Sequence, residues 1–576
     1  MATIREPAIS SLMISQKANL KPITDIAAKA GILNEELELY GKYIAKIDYV
    51  KVLERLQNKP DGKIICVTAM TPTPLGEGKT VTAFGLGQAL NRQGKKVINT
   101  FREPSKGPTF GIKGGGTGGG YSQALPMEQI NLHFTGDIHA VESAQNLCAA
   151  AIDASILHGN KLNINPANVT WRYCVDINSR SLRTISVGIK EKADIFPRVT
   201  GYDITAATET AAIHALTTNL QDLRERLGRT IIGYNYDNKP VTCEDLKVAG
   251  AMTVLLKDAI KPNMVQSTEG HPMICHGFPF ANVAHGNNSV IADMTALKLA
   301  DYVVTENGFG TDCGFSKMID VKCRQSGLKV DCAVLVTTIR ALKQHGGAFH
   351  LRPGISYSIV KEAAETENLP AIEKGFENLV RNIEIVKMYG IPVVVAINRF
   401  PTDTDTELEL VRIKALEAGA DGAAISECWA EGGKGALNLA TEVTKAIEKP
   451  HKMNFLFADN ASIKEKIETI ATKIYGADGV DYSDEAEKRI KLYTELGLSW
   501  MTVNMAKTHL SLSHNPNWLG VPKNYKLPVR DIRASVGAGF FYPICGTLST
   551  MPGLSSRPSF MDVDIETDTG LTKGLF

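Results

Sequence analysis

The sequence has no CxxC pair, no surplus of charge of either sign, and no apolar run of the roughly 18 residues that a bilayer span needs. Its ten cysteines are dispersed, which argues against both a zinc knuckle and a disulfide framework. A formal net charge of +1 gives no reason to expect a nucleic-acid partner. The N-terminus, MATIREPAISSLMISQKANLKPI, lacks the apolar centre of a signal peptide and the basic amphipathic pattern of a transit peptide. A cytoplasmic location without membrane attachment is therefore expected. The densest His/Cys group, His271, Cys275, His276 and His285, fits no standard metal spacing and reads better as the polar lining of a cleft.

What is present is an ordinary globular composition, with 44% hydrophobic and 22% charged residues. A chain of 576 residues is too long for one core, so two to four domains are expected. Residues 14–58 read as helices. Residues 62–70, GKIICVTAM, then form a short apolar run suited to a buried strand. A helical segment at 79–94 ends at Gly94, and a second apolar strand follows at 96–101. Further strand-like runs lie at 301–306, 329–339, 391–400 and 421–429, with a helix at 406–419 between the last two. Short apolar strands alternating with helices predict an α/β protein with a buried, mainly parallel sheet. The helices of about 140–290 suggest an inserted domain. The Gly-, Pro- and Ser-rich tail from about 500 suggests ordered loops with a strand at 539–544.

Between the first strand and its helix stands TPTPLGEGKT, residues 71–80. Its end, Gly76-Glu77-Gly78-Lys79-Thr80, has the form of a phosphate-binding loop. Backbone N–H groups at a helix start would wrap phosphate, Lys79 would reach the outer phosphates, and Thr80 would hold Mg2+ through its hydroxyl. Thr73 occupies the position where the common motif has glycine. A Gly-rich turn with a solvent-facing lysine is the plainer alternative. Arg102 follows the second strand, at the sheet edge where ligands bind, and could clamp a carboxylate or acyl phosphate. His133, Asp137 and His139 are candidate polar groups near the same crevice, and Glu306 and Asp312 are candidate metal ligands. Phe400 and Trp429 follow later strands and could sandwich a flat heterocycle, or could simply pack in the core.

Taken together these segments resemble the formate–tetrahydrofolate ligase (10-formyltetrahydrofolate synthetase) family. The resemblance is carried by TPLGEGKT, REPSKGPTFGIKGGGTGGGY, INLHFTGDIHA, PFANVAHG, LADYVVTENGFG, TTIRALKQHGG, IPVVVAINRFPTDTD, ECWAEGGKG and the terminal MPGL through GLF. It runs from about residue 17 to 576 and looks like the single-function form, without an attached dehydrogenase or cyclohydrolase domain. Four small departures are Lys106 for the usual Leu, Gly116-Thr117 for Ala-Ala, Phe278 for Gly and Asn287 for Cys. The resemblance implies a P-loop NTPase-like sheet domain with two smaller α/β domains. The implied division is 1–140 and 291–385 for the ATP domain, 141–290 for an insertion, and 386–576 for a C-terminal domain with the folate clamp.

The implied reaction joins formate to N10 of tetrahydrofolate at the expense of ATP, through formyl phosphate. Residue by residue, Thr73, Pro74, Leu75, Gly76, Glu77, Gly78, Lys79 and Thr80 would bind ATP, with Mg2+ at Thr80. Arg102 would orient formyl phosphate, Asp137 would act near the reacting centre, and Phe400 and Trp429 would clamp the pterin. Potassium or ammonium as activator and a homotetramer are implied as well. The competing readings are a P-loop ATPase or kinase with another acceptor, and an assembly protein that only binds nucleotide.

Overall fold

The computed structural model describes residues 10–111, 116–188, 197–350, 357–546 and 549–575. The first nine residues, Gly114 and Gly115 of the glycine-rich segment and the terminal Phe576 lie outside these. The centre is a twelve-stranded mixed sheet. Seven of its strands are parallel: β1 (Lys63–Ala69), β2 (Val97–Phe101), β3 (Pro272–Cys275), β4 (Tyr302–Glu306), β5 (Cys332–Thr337), β6 (Val393–Asn398) and β7 (Gly422–Ser426). Their spatial order is β3-β2-β4-β1-β5-β6-β7. Antiparallel strands, including Asn263–Ser267, extend the sheet beyond β3.

These strands are recognisable in sequence for a physical reason. A parallel sheet is covered on both faces, so its strands are apolar throughout rather than alternating. In β1 every residue after Lys63 is buried, and every residue of β2, β5 and β6 is buried. The α/β class and the mainly parallel sheet expected from sequence are therefore present. β6 and β7 continue the same sheet as β1. One reading needs adjustment. The run 421–429 is not a single strand, because β7 ends at Ser426 and a short helix begins at Cys428. That turn lifts Trp429 off the end of the sheet.

The middle of the chain carries its own three-stranded sheet, of Ile164–Val169, Ile231–Asn235 and Pro240–Thr242. The tail includes the expected strand, at Phe540–Ile544. All ten cysteines are free and buried. His271, Cys275, His276 and His285 are buried core groups. His271 bonds Asn99, and His276 bonds Ser289 and the Ala259 carbonyl. Among the described residues no helix is long and apolar enough to cross a membrane.

One contact between the middle and the tail is pH-sensitive. The Glu209 carboxylate accepts from the N–H groups of Gly537 (2.7 Å) and Ala538 (3.3 Å), and burial raises its pKa to about 7. A raised carboxyl pKa means that the folded state holds the proton more tightly than the unfolded chain. The stability it contributes is complete below the unfolded pKa and is lost as pH rises through about 7. Glu209→Gln keeps an acceptor and removes the titration. Its unfolding midpoint should exceed the wild type's at pH 8 and lose that advantage toward pH 5, as measured by denaturant melts across that range.

Candidate active site

The groups expected to carry chemistry rise from the carboxyl ends of neighbouring parallel strands, the side of an α/β sheet where ligands bind. Residues 70–78 leave β1 and enter helix α1 (Lys79–Arg92). Gly78 caps that helix with φ +75°, a left-handed conformation that costs other residues strain. A Cβ there would also lie 2.3 Å from the Asn398 side-chain nitrogen. Asn398 needs that space, because it ends β6 and donates to the Glu77 carbonyl at 3.1 Å.

The missing glycine at Thr73 has a local explanation. The Glu77 side chain folds back and accepts from both the Thr73 N–H (2.6 Å) and the Thr73 hydroxyl (3.0 Å). Both residues are buried. A carboxylate staple thus closes the loop. Pro74 is exposed, while Leu75, Gly76, Gly78, Lys79 and Thr80 are half-buried at its rim. Lys79 and Thr80 open the helix, where the N-terminal end of the dipole favours an anion.

The Thr80 hydroxyl lies 3.2 Å from Glu306 Oε1, at the end of the adjacent strand β4. A hydroxyl and a carboxylate are hard oxygen donors. Mg2+ typically takes one or two protein oxygens together with phosphate oxygens and water, so this pair fits that ion. No cluster of three or more His, Cys, Asp or Glu side chains suited to a metal occurs among the described residues. Asp312 is spent elsewhere, in a fully buried ion pair with Lys507 at 2.7 Å.

Arg102 is the first residue beyond β2. Its Nη1 donates to the Pro279 carbonyl at 3.0 Å, while its buried Nε has no hydrogen-bond partner among the described residues. Burial lowers its pKa and the Glu306 carboxylate opposes that shift. Guanidinium remains charged in proteins, so a half-buried cation with one unmet donor stands near Glu306. An anion would satisfy it.

Asp137 begins helix α2 (Asp137–Leu157) and is buried. Lys46 Nζ approaches its Oδ1 at 2.7 Å, and the Asn263 amide donates to its Oδ2 at 2.7 Å. Lys46 also donates to Asn263 Oδ1 and to the Lys261 carbonyl. Asp137 is thus held in a closed buried network. Its charge acts on Glu103, whose carboxyl pKa is pushed well up by burial first and by Asp137 second. Glu103 is next to Arg102 in the chain. His133 and His139 are exposed.

Phe400 lies two residues beyond β6. A reciprocal turn fixes it: its N–H donates to Asp403 at 2.8 Å, and the Asp403 N–H donates to its carbonyl at 3.0 Å. Burial raises the Asp403 pKa to about 6. The Arg340 guanidinium sits over the Phe400 ring, 3.5 Å from its centre. Trp429 rises beyond the neighbouring β7 and keeps 38% of its surface exposed. The glycine-rich segment packs behind it. A Cβ on Gly120 would lie 2.0 Å from the Trp429 carbonyl oxygen and 2.8 Å from the indole ring, which explains glycine there. Tyr121 N–H donates to the same carbonyl.

The structure thus brings the 71–80 loop together with Asn398, Phe400 and Arg340, and brings Thr80 together with Glu306. Arg340 had no role in the reading from sequence. Its only signal was its place just after an apolar strand, in TTIRALKQHGG.

Comparison with known proteins is decisive about ancestry. The family model described as formate–tetrahydrofolate ligase matches residues 9–576. A protein of that name from Desulforamulus reducens is 57% identical over 98% of this chain and 99% of its own length. Its namesake from Roseiflexus castenholzii is 52% identical over 98% of this chain and all of its own. Another, from Saccharopolyspora erythraea, is 49% identical over 97% of this chain and 98% of its own. With a family match over nearly all of its length and relatives near half identity, the chain belongs to the formate–tetrahydrofolate ligase family.

Proposed function

We propose that this protein ligates formate to tetrahydrofolate, giving 10-formyltetrahydrofolate, ADP and phosphate by way of formyl phosphate. The observation that carries the reading is that a Gly-Lys-Thr loop at a helix start, an arginine with an unmet Nε donor and the rings of Phe400 and Trp429 all follow the carboxyl ends of strands in one parallel sheet. Formate alone is a poor acyl donor because oxide is a poor leaving group. Attack of its oxygen on the γ-phosphorus makes a mixed anhydride, and the folate amine then displaces phosphate from the formyl carbon. Such chemistry asks the protein for positioning and charge neutralisation.

Lys79 neutralises charge gathering on the transferred phosphoryl oxygens. Arg102 holds formate, and then the acyl phosphate, through its fork of N–H donors. Thr80 and Glu306 hold Mg2+, which draws charge from the phosphate oxygens when bound. Phe400 and Trp429 place the pterin so that N10 faces the formyl carbon, and the released phosphate is basic enough to take the amine proton. Potassium or ammonium activation, a homotetramer and a cytoplasmic location belong to the same proposal, on family resemblance.

The test is incubation with formate, MgATP and tetrahydrofolate, with and without potassium. The expected result is 10-formyl product and ADP release that needs both formate and folate, with oxygen-18 passing from labelled formate into phosphate. ATP turnover indifferent to formate and folate would overturn the reading. Trp429→Ala should weaken tetrahydrofolate affinity by roughly fivefold or more, because a stacked ring contributes about 1 kcal/mol beyond its buried area. The KM for ATP should stay within about twofold, the limit expected for a site that the substitution does not touch. Steady-state kinetics in both substrates checks the split.

A further inference from the structure

We infer that Arg340 couples the nucleotide loop to the folate shelf, so that each substrate tightens the other's binding. The inference rests on the folate reading of Phe400 given above. Arg340 is the second residue of helix α3 (Ile339–His345), which follows β5. One guanidinium nitrogen donates to the carbonyls of Leu75 and Gly76, at 3.2 and 3.1 Å. The face of the same guanidinium covers the Phe400 ring at 3.5 Å. A single planar group thus touches both halves of the proposed site.

The bonds to the loop carry directional information. A peptide unit is planar and trans, so its C=O and N–H point in opposite directions. Fixing the Gly76 carbonyl toward Arg340 turns the Glu77 N–H away from Arg340. A phosphate loop works by aiming such N–H groups at its anion, so Arg340 helps set the peptide orientation that binding requires.

The other end of α3 grips the start of the loop. The His345 ring accepts from Gly520 N–H through Nδ1 at 3.1 Å, which leaves Nε2 to donate to the Thr71 carbonyl at 2.9 Å. The helix therefore holds the loop at two places. On the shelf side, Asn398 repeats the connection, since it bonds the Glu77 carbonyl and stands two residues before Phe400. Phosphate binding that settles the loop also settles Arg340, and with it the tilt of Phe400. A pterin stacked on Phe400 acts in reverse along the same contacts. Linkage requires the two effects to be equal.

Calorimetric titration of the full chain tests this. The dissociation constant of tetrahydrofolate is measured with and without a non-hydrolysable ATP analogue plus magnesium, and the reciprocal pair is measured likewise. The wild type should show a coupling factor of about fivefold or more, equal in both directions. The ratio is taken within each variant, so a general loss of affinity cancels. In Arg340→Met, which retains an apolar cover for Phe400 but no donors, the factor should fall below about twofold. Arg340→Lys, with charge but no planar fork, should also lose it, and it carries the test if circular dichroism shows that the methionine variant does not fold. A wild-type factor of one, or an undiminished factor in a folded variant, overturns the inference. Phe400→Leu separates this from the reading beneath it. If that change leaves folate affinity intact without nucleotide, the shelf itself is misassigned. If it weakens folate while the Arg340 variants keep their coupling, only the role of Arg340 fails.

Discussion

Lys79→Ala should lower kcat by at least about a hundredfold, because it removes a charged contact worth roughly 3 kcal/mol to the transferred phosphoryl group. Three features put the lysine in position to have that effect. It is the first residue of α1, where the helix dipole already favours an anion. The Glu77–Thr73 staple and the Arg340 bonds hold the loop that precedes it. Asn398 pins the Glu77 carbonyl from the far side. The loss should fall on kcat more than on the KM for ATP, since charge on the phosphoryl oxygens is redistributed most in the transition state. Single-turnover kinetics would show it, and near-normal turnover would remove Lys79 from the phosphate.

The second large effect concerns stability. Lys46→Met should cost about 3–5 kcal/mol, because it strands a charged Asp137 in the interior. Both partners are only 1% exposed, so water cannot compensate. An exposed pair such as Lys491–Glu495, with 78% and 62% of the side chains open, should be worth about 1 kcal/mol or less on the same scale. Urea unfolding would register the difference as a clear drop in midpoint for one and almost none for the other. The double change Lys46→Met with Asp137→Asn should recover much of the loss, since the cost lies in the unpaired charge and not in the missing lysine. A double variant as unstable as the single would place the cost in packing instead.

The sequence was legible where structure follows from local pattern. Strands covered on both faces must be apolar throughout, so β1, β2, β5 and β6 stand out as short apolar runs. The 71–80 loop, Arg102, Phe400 and Trp429 could be located at strand ends because each stands at or just beyond an apolar run. What stayed hidden depends on pairing between distant parts of the chain. Lys46 and Asp137 are 91 positions apart, and Arg340 and Leu75 are 265 apart. Nothing near Arg340 shows that its guanidinium will lie on Phe400. Nor does Thr73 show, taken alone, that a carboxylate four residues on will bind it in place of the usual glycine. The same limit affects Asp137. Spacing made it a candidate polar group near the crevice and the family resemblance implied a place near the reacting centre, but its bonds to Lys46 and Asn263 could be read from neither.

The most direct measurement is a crystal structure with a non-hydrolysable ATP analogue, magnesium and tetrahydrofolate bound together. It should show the terminal phosphate against the ammonium group of Lys79, the metal ion between the Thr80 hydroxyl and Glu306, and the pteridine between Phe400 and Trp429 with N10 turned toward Arg102. A nucleotide bound away from residues 73–80, or a pteridine that touches neither ring, would contradict it.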